Sequence, residues 1–321
     1  MPNRTKALSL LESVGYYRLS AYAYPFRTPL PRDAMPETSV QFRQSSFEPG
    51  ASFDWVQQLW EFDRSLRLLL LDAIEMVEIS LRAKVGYHLG YRNTFGYLSP
   101  DGLDAAKCDR RHTEDSGLSM FDLWLEHYRE HQTKAASEDF IQHYVEKYDA
   151  VLPVWVATEI MEFGQLVRLY GFMLDVDQSA VSREIAGVSG AVFVRWMKVA
   201  NYARNLSAHH ARLWNRTLTY KLGRVPENAP ELTHLNAAPH SRQRIYAVAA
   251  ILSYLTDRIR PEAGWRARLN ELLDRFPTGL PVSPEVHMGF PTGWRSLELW
   301  SPGHRQGAAI VTPPEWIRCP S

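Results

Sequence analysis

From Phe53 to Gly90 the chain runs without a proline, and without a glycine before Gly86. Along it Trp55, Leu59, Phe62, Leu66, Leu69, Leu70, Ala73, Val77 and Leu81 recur at spacings of three and four, which puts them on one face of a helix. One long amphipathic helix is predicted here, and it sets the fold class. A second helix is expected from Pro153, where proline suits a first turn, carrying Val156, Ile160, Phe163, Leu166, Val167 and Tyr170. Helical patterns also cover 118–131, 138–148, 190–216, 241–260 and 262–275, while alternating strand patterns are nearly absent. The expectation is an all-α bundle.

Two proline-bearing stretches, 24–52 and 222–240, break the helical pattern and read as loops or crossings. From Pro277 onward Pro, Gly and the tryptophans Trp294, Trp300 and Trp316 follow no period, which suggests an aromatic tail laid over the helical body. The chain thus divides into an N-terminal helical element with a Pro-rich loop (1–52), a helical core (53–221), and C-terminal helices with an irregular tail packed on that core (222–321).

Thirty-six Lys and Arg balance 36 Asp and Glu, so the chain is neither a uniformly basic coat for nucleic acid nor a polyacidic disordered one. Cys108 and Cys319 are far apart and form no CxxC pair, which argues against a disulfide scaffold or structural zinc. Glu12 interrupts the early apolar residues and no cleavage signature follows, so no signal peptide is read. The strongest apolar run, Leu68–Leu71, is far too short for a bilayer span. A cytoplasmic location and no membrane contact are expected.

Zero net charge hides a local imbalance. The 42 residues from Ile185 to Pro226 contain no Asp or Glu, yet hold Arg195, Lys198, Arg204, Arg212, Arg216, Lys221 and Arg224. On a helix over 190–216, at roughly 100° per residue, Lys198, Asn201, Asn205, His209, Arg212 and Arg216 share a stripe of about 80°, with Arg204 and Asn215 beside it. Val192, Trp196, Val199, Tyr202, Ala203, Leu206, Leu213 and Trp214 take the core side. His210 falls on the apolar face and reads as a packed core histidine, whereas His209 falls in the stripe. A solvated cationic face near a helix C-terminus is the plain alternative, but it leaves the missing i, i+4 carboxylates unexplained. Forked arginine donors beside a histidine suit a phosphodiester.

The string Arg204-Asn-Leu-Ser-Ala-His209, continued by His210-Ala-Arg-Leu-Trp-Asn-Arg216, resembles the RNxxxH motif of HEPN-type ribonucleases, and its longer form resembles the bacterial Abi-like (AbiD/AbiF) abortive-infection family. Gly15-Tyr-Tyr-Arg-Leu-Ser20, Phe62-Asp-Arg-Ser-Leu-Arg67, Leu152-Pro-Val-Trp155 with Glu162-Phe-Gly164, and Met288-Gly-Phe-Pro291 with Trp294 extend the likeness over nearly the whole chain. One departure is the short lead of fourteen residues before Gly15.

The resemblance implies a HEPN-like bundle that cleaves RNA without metal or other cofactor, leaving a 2′,3′-cyclic phosphate, in phage defence. Arg204, Asn205 and His209 are then catalytic. His209 either takes the 2′-OH proton or gives one to the departing 5′-oxygen, and Arg204 stabilises charge on phosphorus. Asn205 orients that pair or binds a phosphate oxygen. Lys198, Asn201, Arg212, Asn215, Arg216 and Arg18 are candidate RNA contacts. For Arg212, Asn215 and Arg216 structural hydrogen bonding is an equal alternative, as is aromatic stacking for Arg18 beside Tyr17. Arg204 and His209, five apart, lie about 140° apart on an ideal helix. Distortion, a long arginine reach, or a site shared across a homodimer would bring them together, and the resemblance implies the dimer.

Two rivals remain at this level. His127-Tyr-Arg-Glu-His131 matches the short HxxEH pattern of inverted zinc proteases. The other rival is a non-catalytic RNA-binding HEPN module within a defence ribonucleoprotein. Restraint by a cognate noncoding RNA or an antitoxin is likewise implied by the resemblance alone, and Asp63, Arg64 and Arg67 read as structural ion-pairing residues.

Overall fold

The fold is seen in a computed structural model that describes residues 4–31, 42–111, 117–147 and 151–301. Its axis is α3 (Phe53–Arg92), 40 residues and therefore about 60 Å long at 1.5 Å per residue. The stripe Leu59, Leu66, Leu70, Ala73, Val77, Leu81 and Val85 is fully buried. Helices stand around it because no single shorter helix covers a stripe of that length. Before it come α1 (Arg4–Val14), α2 (Tyr16–Ala23) and a two-stranded antiparallel pair, β1 (Arg27–Pro29) and β2 (Arg43–Phe47), in register Arg27 with Phe47 and Pro29 with Arg43. That pair lies in the stretch expected to be loop. Three and five residues, with Pro29 among them, are too few to show alternation in the sequence.

After α3 follow α4 (Ala105–Cys108), α5 (Met120–Lys134), α6 (Asp139–Lys147), α7 (Val154–Ala157), α8 (Phe163–Phe172), α9 (Asp175–Ala186) and α10 (Gly190–Ala208). Then come α11 (Pro239–Arg242), α12 (Ile245–Ile259) and α13 (Trp265–Asp274). The helix expected from Pro153 to Tyr170 is broken into α7, a short 3-10 turn at Thr158–Ile160, and α8. Arg82 of α3 holds the break open, donating to the carbonyls of Thr158 (2.7 Å) and Met161 (2.8 Å). Glu162 and Gln165 then restart the helix as a capping box.

Close approach of α7 to α3 depends on two glycines. A Cβ on Gly90 would lie 2.9 Å from the Trp155 ring, and one on Gly86 would lie 3.2 Å from the Trp155 backbone. α12 is buried all round from Ile245 to Thr256, as expected of a helix apolar on every face, and it packs on α3, α9 and α10 in one continuous core. Of the C-terminal segment, the described residues up to Ser301 include aromatic rings that lie against α12. Phe290 meets Tyr246 and Trp294 edge-on, Trp294 meets Trp300 edge-on, and the Tyr246 hydroxyl accepts from Trp300 Nε1 at 3.0 Å. Trp316 lies outside the described residues. Cys108 is a buried free thiol, and Cys319 also lies outside the described residues.

Candidate functional site

The helix expected to run to Arg216 stops at Ala208, and how it stops shapes the motif. His209 is the last residue near helical geometry, and His210 swings into the left-handed region with φ 56°, where among the described residues every other occupant is glycine. The His210 amide donates to the Ser207 carbonyl (3.1 Å) and the Ala211 amide to that of Leu206 (2.9 Å), which closes the helix end. Glycine suits this position. A histidine there costs about 1 kcal/mol in backbone strain. His210 is consequently exposed rather than packed in the core, correcting the expectation drawn from a continuous helix.

The segment after this turn is held from below. Asp63, fully buried on α3, accepts from the amides of Leu213 (3.1 Å) and Trp214 (2.8 Å), from the Tyr22 hydroxyl (2.6 Å) and from Arg67 Nη1 (2.6 Å). Burial pushes the Asp63 carboxyl up, while Arg67, the Tyr22 hydroxyl and the two amides pull it down. Arg67 also reaches the Ala211 carbonyl at 3.4 Å, and Arg18 donates to the His210 carbonyl at 3.3 Å. The expected structural pairing of Asp63 with Arg67 is present. What the sequence did not reveal is that the pair anchors the motif's own loop.

Each candidate residue has a definite place. Arg204 is half-buried and its Nη1 lies 3.2 Å from the exposed Asn205 Oδ1; His209 is exposed at the helix end. α10 stays helical through Ala208, so no distortion folds Arg204 onto His209. Lys198 and Asn201 lie further up the same helix, on the wall of a cavity. Arg212 and Arg216 leave the stripe, because the helix has ended. Arg212 is half-buried and donates to the Ala21 carbonyl; burial pulls its pKa below the ordinary value. Arg216 is exposed and its Nε donates to the Tyr202 hydroxyl at 3.2 Å. The Asn215 carbonyl accepts from Arg244 (2.8 Å), while its side-chain oxygen is buried without a partner among the described residues. Arg18 bonds the motif backbone at the His210 carbonyl.

His127 and His131 share α5, and His131 lies 4.0 Å from Glu162. Among the described residues no three His, Cys, Asp or Glu side chains are grouped to hold a metal ion. No helix among them is long and apolar enough to cross a membrane.

No curated protein and no solved structure gives a significant match to this chain. A family model does, over residues 9–215, from within α1 through the Asp63-anchored loop. That stretch is well over half of the sequence and contains the motif from Arg204 to Asn215: the chain belongs to the Abi-like protein family.

Proposed function

We propose that the chain is a metal-independent endoribonuclease of the HEPN type, built around Arg204, Asn205 and His209. Membership of the Abi-like family implies a role in abortive-infection phage defence, and RNA cleavage is the activity that would serve it. The observation that carries the reading is the placement of His209: exposed, at the end of a helix whose exit is fixed by a buried four-donor carboxylate. A proton-transfer group needs solvent access, an ordinary pKa range near neutrality and a fixed backbone, and this position supplies access and fixation.

In the reaction a ribose 2′-oxygen bonds to phosphorus as the P–O5′ bond breaks. One base takes the 2′-OH proton and one acid protonates O5′, and His209 serves as one of the two. Arg204 opposes the charge that builds on the non-bridging oxygens. Because Arg204 and His209 lie about 140° apart on a regular helix, a second copy of the chain is the natural source of the complementary pair. Tyr17 is 91% exposed and adjoins Arg18, which bonds to the His210 carbonyl, so its ring is available to stack a base of the bound strand. Restraint by a noncoding RNA or protein antitoxin belongs to the same reading.

The test is incubation of purified chain with end-labelled RNA in EDTA, with analysis of the 3′ ends. Arg204→Ala and His209→Ala are each expected to abolish cleavage, by 10² or more, with cyclic phosphate ends seen only for the parent. Intact RNA under every condition, including after removal of copurifying RNA, refutes the proposal. A cellular effect that survives His209→Ala would favour the non-catalytic RNA-binding module.

A further inference from the structure

A cavity of about 450 Å³ opens between α8, α10 and the segment that follows α4, a size suited to a small ligand. Its charges are arranged unlike those elsewhere on the surface. Lys107 at one edge pairs with Asp175 (2.7 Å) and Asp104 (3.3 Å); nearby, Arg92 pairs with Asp177 and Lys84 with Glu184. Arg110, Arg168 and Lys198 line the same cavity and, among the described residues, none of the three forms an ion pair. Partial desolvation in the cavity wall, and then Arg168 and Arg110, draw the Lys198 pKa below that of an ordinary lysine. Asp175, the carboxylate on the same lining, is paired with Lys107; the three cations that no carboxylate pairs repel one another, and an anion placed among them relieves that repulsion.

The rest of the lining is of a different kind. Tyr220 presents a half-exposed ring, braced edge-on by Tyr202 at 5.6 Å. Asn201 sits against Gly164, where a Cβ would come within 3.3 Å of its amide, and its side-chain oxygen has no partner among the described residues. Gly171 has nothing within 4 Å of where its Cβ would stand, so α8 leaves the cavity open there.

From this combination we infer that the α8–α10 cavity binds one nucleotide unit, its phosphate on Arg110, Arg168 and Lys198 and its base on Tyr220 beside the Asn201 carboxamide. Arginine forks and a lysine ammonium match phosphate oxygens, and an exposed aromatic ring accepts a base of any identity. Lys198 is eleven residues before His209, about 16 Å along the helix axis, so this nucleotide is not the one whose phosphate meets His209. The site stands whether or not the chain cuts RNA. The nucleotide is either free or one unit of a bound strand.

Calorimetric titration of the full chain with AMP, and with a short 2′-O-methylated RNA that cannot undergo 2′-OH attack, separates these sources. Gly171→Leu fills the cavity without altering charge and places a better helix former in α8; Arg168→Glu reverses charge at an exposed position. Both are expected to weaken binding at least tenfold. Loss of AMP binding marks a free-nucleotide site, and loss confined to the oligonucleotide marks a strand-binding site. Should Gly171→Leu fail to fold, Arg168→Glu decides alone. The inference is overturned if the parent chain binds neither probe, or if the folded variants bind both as the parent does. Cleavage assays on His209→Ala are independent of either result.

Discussion

Replacing Asp63 by asparagine tests whether a buried carboxylate holds the motif loop in place. The substitution is isosteric, so any effect comes from charge and hydrogen-bond polarity. In the folded chain Asp63 accepts four hydrogen bonds and Arg67 is 5% exposed. Asparagine keeps one acceptor oxygen but turns an NH₂ toward donors, leaving at least one loop amide unsatisfied and the Arg67 guanidinium without its counter-charge. Removing one partner of a buried ion pair costs about 3–5 kcal/mol, and an orphaned buried amide about 1–3. The two overlap, since Arg67 can shift toward the Ala211 carbonyl, so about 3–5 kcal/mol in all is expected. That is a large share of the 5–15 kcal/mol that ordinarily holds a domain. Urea unfolding at neutral pH measures it, and amide hydrogen exchange at Leu213 and Trp214 locates it. Pairing Asp63→Asn with Arg67→Met should recover part of the loss, because the double variant buries no lone charge. A loss below about 1 kcal/mol, with exchange at both amides unchanged, would refute the anchoring role.

At position 210, glycine relieves the left-handed strain but loosens the unfolded chain, so His210→Gly should stay within about 1 kcal/mol of the parent. His210→Val should be less stable by roughly 1–2 kcal/mol in thermal unfolding, because a β-branched residue resists positive φ. Gly90→Leu drives a side chain into the Trp155 ring and is expected to cost about 2–3 kcal/mol with loss of the α3–α7 contact; an unchanged unfolding midpoint would contradict that close approach. Stability should also fall with acidification through two half-buried histidines. His234 bonds to the Tyr246 hydroxyl (2.6 Å) and His287 packs on Trp214, and burial lowers both pKa values from 6.5. The unfolded chain therefore binds protons first, so their contribution is complete above about pH 6.5 and declines as pH falls toward the folded values. Replacing both with asparagine should flatten the unfolding midpoint against pH over that window.

The long helix was legible because α3 repeats its apolar spacing over eleven turns, and α5, α12 and α13 were legible for the same reason within a few residues at their ends. The break between α7 and α8 was not, since it is imposed by Arg82, seventy-six residues away, bonding the Thr158 carbonyl. The end of α10 was hidden for a related reason. Residues 209–216 keep a helical apolar spacing, with Leu213 and Trp214 buried, yet no glycine marks the stop. Asp63 takes the Leu213 and Trp214 amides that a helix would have used, so a long-range partner overrides a local pattern. That shift also moved His210 from the core to the surface. The residues of the RNxxxH motif could be named through the family resemblance; their geometry could not, because it depends on α2 and α3.

The acid-free window has two physical origins, divided by the helix end. Beyond Ala208 the carboxylates are missing because backbone and phenolic oxygens replace them: Arg212 bonds to the Ala21 carbonyl and Arg216 to the Tyr202 hydroxyl, while Arg18, Arg67 and Arg244 bond to the carbonyls of His210, Ala211 and Asn215. A carboxylate added there would compete for guanidinium groups that already have acceptors, and would loosen the turn. Before Ala208 nothing of the kind substitutes. Lys198 forms no ion pair among the described residues and shares its cavity with Arg110 and Arg168, and the Arg204 guanidinium has the neutral Asn205 oxygen. Charge reversal should therefore separate the two halves. Arg212→Glu is expected to lower stability and to disturb the loop, whereas Lys198→Glu should leave stability level or slightly raised and remove affinity for phosphate-bearing ligands. If both variants lose stability equally, the cations of α10 are scaffold throughout, and the cavity and the helix end are parts of one structural network rather than places where an anion is met.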